Sequence, residues 1–148
     1  AHAADGLQNE AAALCAADEL RAPCGAAQRK GLKGAALMTA NEYQEKAMAT
    51  LNPALSRKDV LINSVMGLCG ESGEAIDLVK KWLAQGHELD KVHLAKELGD
   101  VAWYLAEAAS ALDLDLDDIL QQNLDKLAAR YPEGFDAQRS RVRLSGDL

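Results

Sequence analysis

Four acidic residues fall into two pairs whose types and spacing could hold a metal ion. Glu71-Ser72-Gly73-Glu74 and Glu97-Leu98-Gly99-Asp100 each place acids at i and i+3, and on a helix that spacing puts both carboxylates on one face. Each pair sits at the edge of an apolar stripe. Val65, Leu68, Cys69, Ile76, Val79 and Leu83 flank the first, and Leu94, Leu98, Val101, Leu105, Ala108 and Leu112 flank the second. Two helices packed antiparallel along those stripes would bring the four carboxylates together. Like charges about 4 Å apart repel by roughly 4 kcal/mol at an effective dielectric of about 20, so such a cluster calls for protons or cations. Hard oxygen donors without a His or Cys partner suit Mg²⁺, with Mn²⁺ as a substitute, and octahedral Mg²⁺ keeps positions for water and substrate phosphates. The competing reading is a solvated acidic face, the ordinary setting of such acids.

Other residues add to the chemistry. Gly67, Gly70 and Gly73 recur every third residue, and Gly99 adjoins Asp100. A glycine inside a helix costs about 0.8–1.0 kcal/mol relative to alanine, so three within seven residues point either to close helix approach or to room for a ligand. Asn123, Lys126 and Arg130 share a helix face at i, i+3, i+7, next to Tyr131. A cationic and amide stripe of that kind suits a polyphosphate. Lys80 and Lys81 could reach phosphates too, or could simply complement a helix C-terminus. Tyr43, Trp103 and Tyr104 are candidate stacking residues, but a core or interface aromatic is the leading reading for each.

Several alternatives fail on spacing. Asp113-x-Asp115-x-Asp117 matches the start of a calcium loop, but its sixth position is Asp118 and its twelfth Leu124, where glycine and glutamate are required. A di-iron carboxylate bundle needs two Glu-x-x-His motifs. Here His93 precedes Glu97 by four, and His87 and His2 pair with neither motif. All three histidines read as exposed or incidental. Cys69 reads as packing. Neither a nucleophile elbow nor a phosphate-binding glycine loop of the Walker type is present.

The elements that must position the acids read as helices. Thr39-x-x-Glu42 is a capping box opening a helix to about Leu51, before Asn52-Pro53. Ser56-x-x-Asp59 opens a long one to Gln85, stopped by Gly86. Asp90 caps a third, to about Leu112. Asp115, with Asp118 in its first turn, opens a fourth that ends near Tyr131-Pro132. The expected fold is all-α, a four-helix-type bundle with two long central helices.

In 148 residues there are 23 acids and 16 bases, a net charge of −7, and residues 71–118 alone hold twelve acids against four bases. That balance argues against binding nucleic acid through a basic surface. No run of about 18 apolar residues is present, so no membrane span is expected. Cys15, Cys24 and Cys69 form no C-x-x-C pair, which fits a reducing cytoplasm. Residues 1–37, Ala-rich and broken by Pro23, Gly25, Gly31 and Gly34, read as an extension, partly helical or disordered, that is upstream-encoded or added sequence ahead of a start at Met38. Residues 38–135 read as the catalytic domain and 136–148 as a polar tail.

Together these residues resemble the MazG-like family of all-α NTP pyrophosphohydrolases. The resemblance rests on Glu71-x-x-Glu74, on Glu97-x-x-Asp100, and on Asn123-x-x-Lys126-Leu127-x-x-Arg130-Tyr131-Pro132. Cys69-Gly70-Glu71-Ser72-Gly73-Glu74-Ala75 and Lys96-Glu97-Leu98-Gly99-Asp100-Val101 also fit, and coverage runs from about Asn41 to Phe135. It implies Mg²⁺ on Glu71, Glu74, Glu97 and Asp100, and hydrolysis of NTP to NMP and pyrophosphate. It also implies assembly as a homodimer or homotetramer, and a housecleaning role against noncanonical or excess nucleotides. Glu71 or Glu74 would be the proton acceptor, and Lys81, Asn123, Lys126, Arg130 and Tyr131 the substrate contacts. The alternative is a non-catalytic helical dimerisation or regulatory module with an acidic surface.

Overall fold

The computed structural model describes residues 37–142. The extension read over residues 1–37 therefore lies outside the described residues, Leu37 apart, as do His2, Cys15, Cys24 and the tail from residue 143. Every regular element among the described residues is helical: α1 (Ala40–Met48), α2 (Arg57–Gln85), α3 (Lys91–Ala111), α4 (Leu116–Arg130) and α5 (Ala137–Arg141). The all-α expectation holds, and the two long helices are α2 and α3. Helix α5 lies in the stretch read as a polar tail, where the Asp136 side chain accepts from the Arg139 N–H at 2.7 Å and satisfies an otherwise orphaned donor.

The helix starts show which caps are local. Thr39 and Glu42 form the reciprocal capping box, at 2.9 and 3.1 Å. Asp90 Oδ1 accepts from the N–H groups of Val92 and His93. Asp115 stands at the N-cap of α4, yet its side chain caps nothing. The orphan donors there are met from α1 instead. Gln44 Oε1 accepts from Leu116 N–H at 2.8 Å, and Asn41 Oδ1 accepts from Asp117 N–H at 2.9 Å. Asp117 returns the contact by accepting from Ala40 N–H. Gln44 Nε2 also donates to Ser110 Oγ and to the Leu114 carbonyl. At the other end of α2, Gly86 has a φ of 71°, a left-handed stop that glycine adopts without a Cβ penalty.

The chain divides into two units, with the boundaries inside α2 and α3. One contains Met38–Leu68 and residues 101–142; the other contains Cys69–Asp100 and Leu37. In the first, Ala47, Ala106 and Leu116 form a buried centre packed by Tyr43, Met48, Trp103, Leu105 and Ile119. Trp103 Nε1 donates to Thr50 Oγ1 at 2.9 Å, so its polar edge is satisfied as burial requires. Tyr104 meets the Trp103 ring edge-on at 5.0 Å and lies so close over Gly67 that a Cβ there would collide with its ring. Tyr43, Trp103 and Tyr104 are thus packing residues in this unit. Glu107 is fully buried, and both of its oxygens accept from Asn63 Nδ2.

The apolar stripes expected to pack α2 on α3 are only partly covered: Leu68, Leu94, Val101, Leu105 and Ala108 are half-buried. Val65, Ile76 and Leu83 on α2, and Leu98 and Leu112 on α3, are exposed. The buried positions of α2 are Val60 and Ser64. Ser64 satisfies its hydroxyl on the Leu61 carbonyl one turn back, so it can be fully buried although it lay outside the expected stripe.

Two substitutions separate local from long-range capping. Gln44→Ala should lower the free energy of urea unfolding by about 1–3 kcal/mol by stranding the Leu116 donor. Asp115→Ala should change it by less than about 0.5 kcal/mol, because no cap bond is lost. Gly67→Ala should destabilise by about 1–3 kcal/mol through overpacking against Tyr104, despite the better helix propensity of alanine.

Candidate metal centre

The unit built from Cys69–Asp100 carries the acids. Glu71 projects from α2 and Glu97 and Asp100 from α3, and one oxygen from each can be chosen so that all lie within 4.8 Å of one another. Their settings differ. Glu97 is buried at 7% exposure, Glu71 is half-buried and Asp100 is exposed. Three carboxylate oxygens at that separation suit a hard dication by donor type. The Glu71 carboxyl reports the strain. Loss of water around it raises its pKa first, and the charges of Glu74, Asp100 and Glu97, with a hydrogen bond to Glu97, raise it further.

Glu74, expected as a fourth ligand, is not in this group. It is exposed one turn along α2, close enough for its charge to act on Glu71, and it lines a neighbouring cavity of about 370 Å³ with Gly70, Gly73, Asp77, Lys81 and His93. At Gly70 and Gly73 nothing lies within 4 Å of where a Cβ would stand. The two readings left open for the glycines therefore both occur: close approach at Gly67, and open space at Gly70 and Gly73.

Lys81 lines the same cavity but is already engaged. With Lys80 it pairs to Asp77 one turn back, and these two ammonium groups hold the Asp77 carboxyl down at about 2. The sequence reading set His93 aside as exposed or incidental. It is exposed, but its Nε2 lies 2.8 Å from Glu97 Oε1, a contact that the i, i+4 spacing to Glu97 allows. Asn123, Lys126, Arg130 and Tyr131 belong to the other unit. There Asn123 and Lys126 are exposed on α4. Arg130 donates to the Ser140 carbonyl at 3.4 Å and stands 5.3 Å over the Tyr131 ring, and Tyr131 packs on Phe135 at 5.6 Å.

The family model for the MazG nucleotide pyrophosphohydrolase domain matches residues 62–135, a span that includes both acid pairs and the α4 segment. The chain belongs to this family. The chain is 42% identical over 73 residues to the Gene 37 protein of Mycobacterium phage L5, a match covering 47% of this chain and 64% of the phage protein. The chain thus spans under two thirds of that relative's length. No solved structure matches it. MazG domains are typically dependent on a divalent metal, and the acidic triad is a donor set that could hold one. Among the described residues no helix is long and apolar enough to cross a membrane.

The raised Glu71 pKa has a sign. As pH climbs above the usual glutamate value of 4.5, the unfolded chain releases this proton before the folded one does, so Glu71 lowers folding stability there. A cation competing with that proton binds better as pH rises. Mn²⁺ should therefore raise the melting temperature at neutral pH, by the equivalent of about 2.7 kcal/mol at a hundredfold excess over its dissociation constant. The rise should fade as pH approaches 4.5 and should be absent in Glu97→Gln. Gly73→Ala should raise the melting temperature without metal, through the helix-propensity gain of about 0.8–1.0 kcal/mol, because the added methyl meets open space.

Proposed function

We propose that this MazG domain is a Mg²⁺-dependent nucleoside triphosphate pyrophosphohydrolase, converting NTP and water to NMP and pyrophosphate, with Mn²⁺ as a substitute metal. The observation that carries the reading is the convergence of Glu71, Glu97 and Asp100 beside a cavity walled by two bare glycines. These three side chains would hold the dication, with Glu74 completing the ligand set or acting beside it. When bound, the ion supplies neutralisation of phosphate charge and a more acidic water.

The rest of the work falls to the chain's own groups. Glu74 is exposed, lies outside the triad and adjoins it, so its carboxylate is the better placed of the two expected acceptors for the proton of the attacking water. The water oxygen bonds to the α-phosphorus, the α–β anhydride breaks, and pyrophosphate leaves. Gly70 and Gly73 leave room for the phosphates beside the acids. Lys81 turns from Asp77 toward the incoming anion, and Asn123, Lys126, Arg130 and Tyr131 supply further substrate contacts.

Assembly as a homodimer or homotetramer fits the exposed apolar residues. Ile76 and Leu83 on α2 are 66% and 60% exposed, and burying such residues contributes about 25 cal/mol per Å². A purely regulatory dimerisation module would share those surfaces but would not need the triad. A cytoplasmic housecleaning role against noncanonical or excess nucleotides is the setting we propose.

A panel of nucleotides assayed for pyrophosphate against orthophosphate tests the reading. Pyrophosphate and NMP should appear together, and orthophosphate as first product would overturn it. Glu74→Ala should lower kcat by about 10²- to 10⁴-fold with helical circular dichroism unchanged. Retained turnover in that variant removes Glu74 from the chemistry.

A further inference from the structure

We propose that His93 is a positioning residue for the metal centre: its imidazole fixes the Glu97 carboxylate in the orientation that meets a cation. This rests on the metal reading of the triad given above.

Glu97 is the one buried carboxylate of the cluster, and a buried carboxylate needs donors in place of the water it has lost. His93 stands one turn earlier on α3, with Nε2 at 2.8 Å from Glu97 Oε1. A neutral imidazole carrying its proton on Nε2 donates that bond without adding a charge to the site. With Oε1 held, the carboxylate keeps one orientation relative to Glu71 and Asp100, with which it would share a cation. Without the bond, the Glu97 side-chain torsions must be ordered when an ion binds, and that entropy cost would be drawn from metal affinity.

The contact differs from an ordinary surface pair. The imidazole is half-exposed while its acceptor is 9% exposed, so the pair is not screened on the acceptor side as two solvated charges would be. His93 also walls the cavity shared by Gly73 and Lys81. Its outer edge therefore meets open space, and truncating it removes a directional donor without opening a hole in packed core.

The test is Mn²⁺ binding to the full chain without nucleotide, followed by the electron paramagnetic resonance signal of the free ion. His93→Ala should weaken Mn²⁺ by about 10- to 100-fold, the usual range for losing a group that orients a metal ligand, with helical circular dichroism unchanged. His93→Gln, whose amide can still donate, should recover most of that loss. Wild-type affinity in His93→Ala overturns the proposal, as does a glutamine variant as weak as the alanine. Absence of Mn²⁺ binding by the wild-type chain overturns it together with the metal reading. His93-dependent Mn²⁺ binding in a chain that releases no pyrophosphate supports it while sinking the proposed reaction.

Discussion

Carboxylates that converge repel one another, and the acidic cluster of this MazG domain holds three of them together against that repulsion. The helices do the holding. Glu97 and Asp100 are kept one turn apart by α3, and Glu71 is presented by α2, so their oxygens come within 4.8 Å. Side-chain rotation can relieve part of the repulsion, but burial of Glu97 and its bond to His93 oppose that relief. What remains is a demand for positive charge. Loss of water around Glu71, and then the charges of Glu74, Asp100 and Glu97, raise its pKa above the usual value. A hard dication would meet the charge of the cluster in competition with protons.

The glycines of α2 serve two ends within seven residues. At Gly67 the missing side chain lets the Tyr104 ring lie against the helix, and the ring is braced edge-on by Trp103. At Gly70 and Gly73 the missing side chains leave a cavity beside Glu74, Lys81 and His93. The first use is paid back as packing in the folded state. The second has no return in contacts, so alanine at Gly73 would gain helix propensity without a clash.

Much of this was legible from spacing. The capping box at Thr39, the Asp90 cap, the glycine stop at Gly86 and the i, i+3 acids are relations within one or two turns, and the structure keeps each of them. The extent of α2, α3 and α4 follows for the same reason. Spacing failed where the partner was remote. Asp115 has the right type and place to cap α4, but Gln44 and Asn41, 72 and 76 residues away from the donors they meet, do it instead. The apolar stripes of α2 and α3 look like a core in one dimension, yet Ile76, Leu83 and Leu98 stay exposed.

The amino-acid sequence by itself determined the helices, the caps drawn from neighbouring residues and the pairing of acids along each helix, because those depend on the 3.6-residue turn and on side chains reaching three or four positions. Only the tertiary structure decided that Glu71 joins Glu97 and Asp100 while Glu74 stands outside the group. It likewise decided that His93 meets a buried acceptor and that Gly67 and Gly73 do different work. Those outcomes turn on which residues of different helices face each other, and on what burial removes from water. Neither quantity is a property of any short stretch of chain.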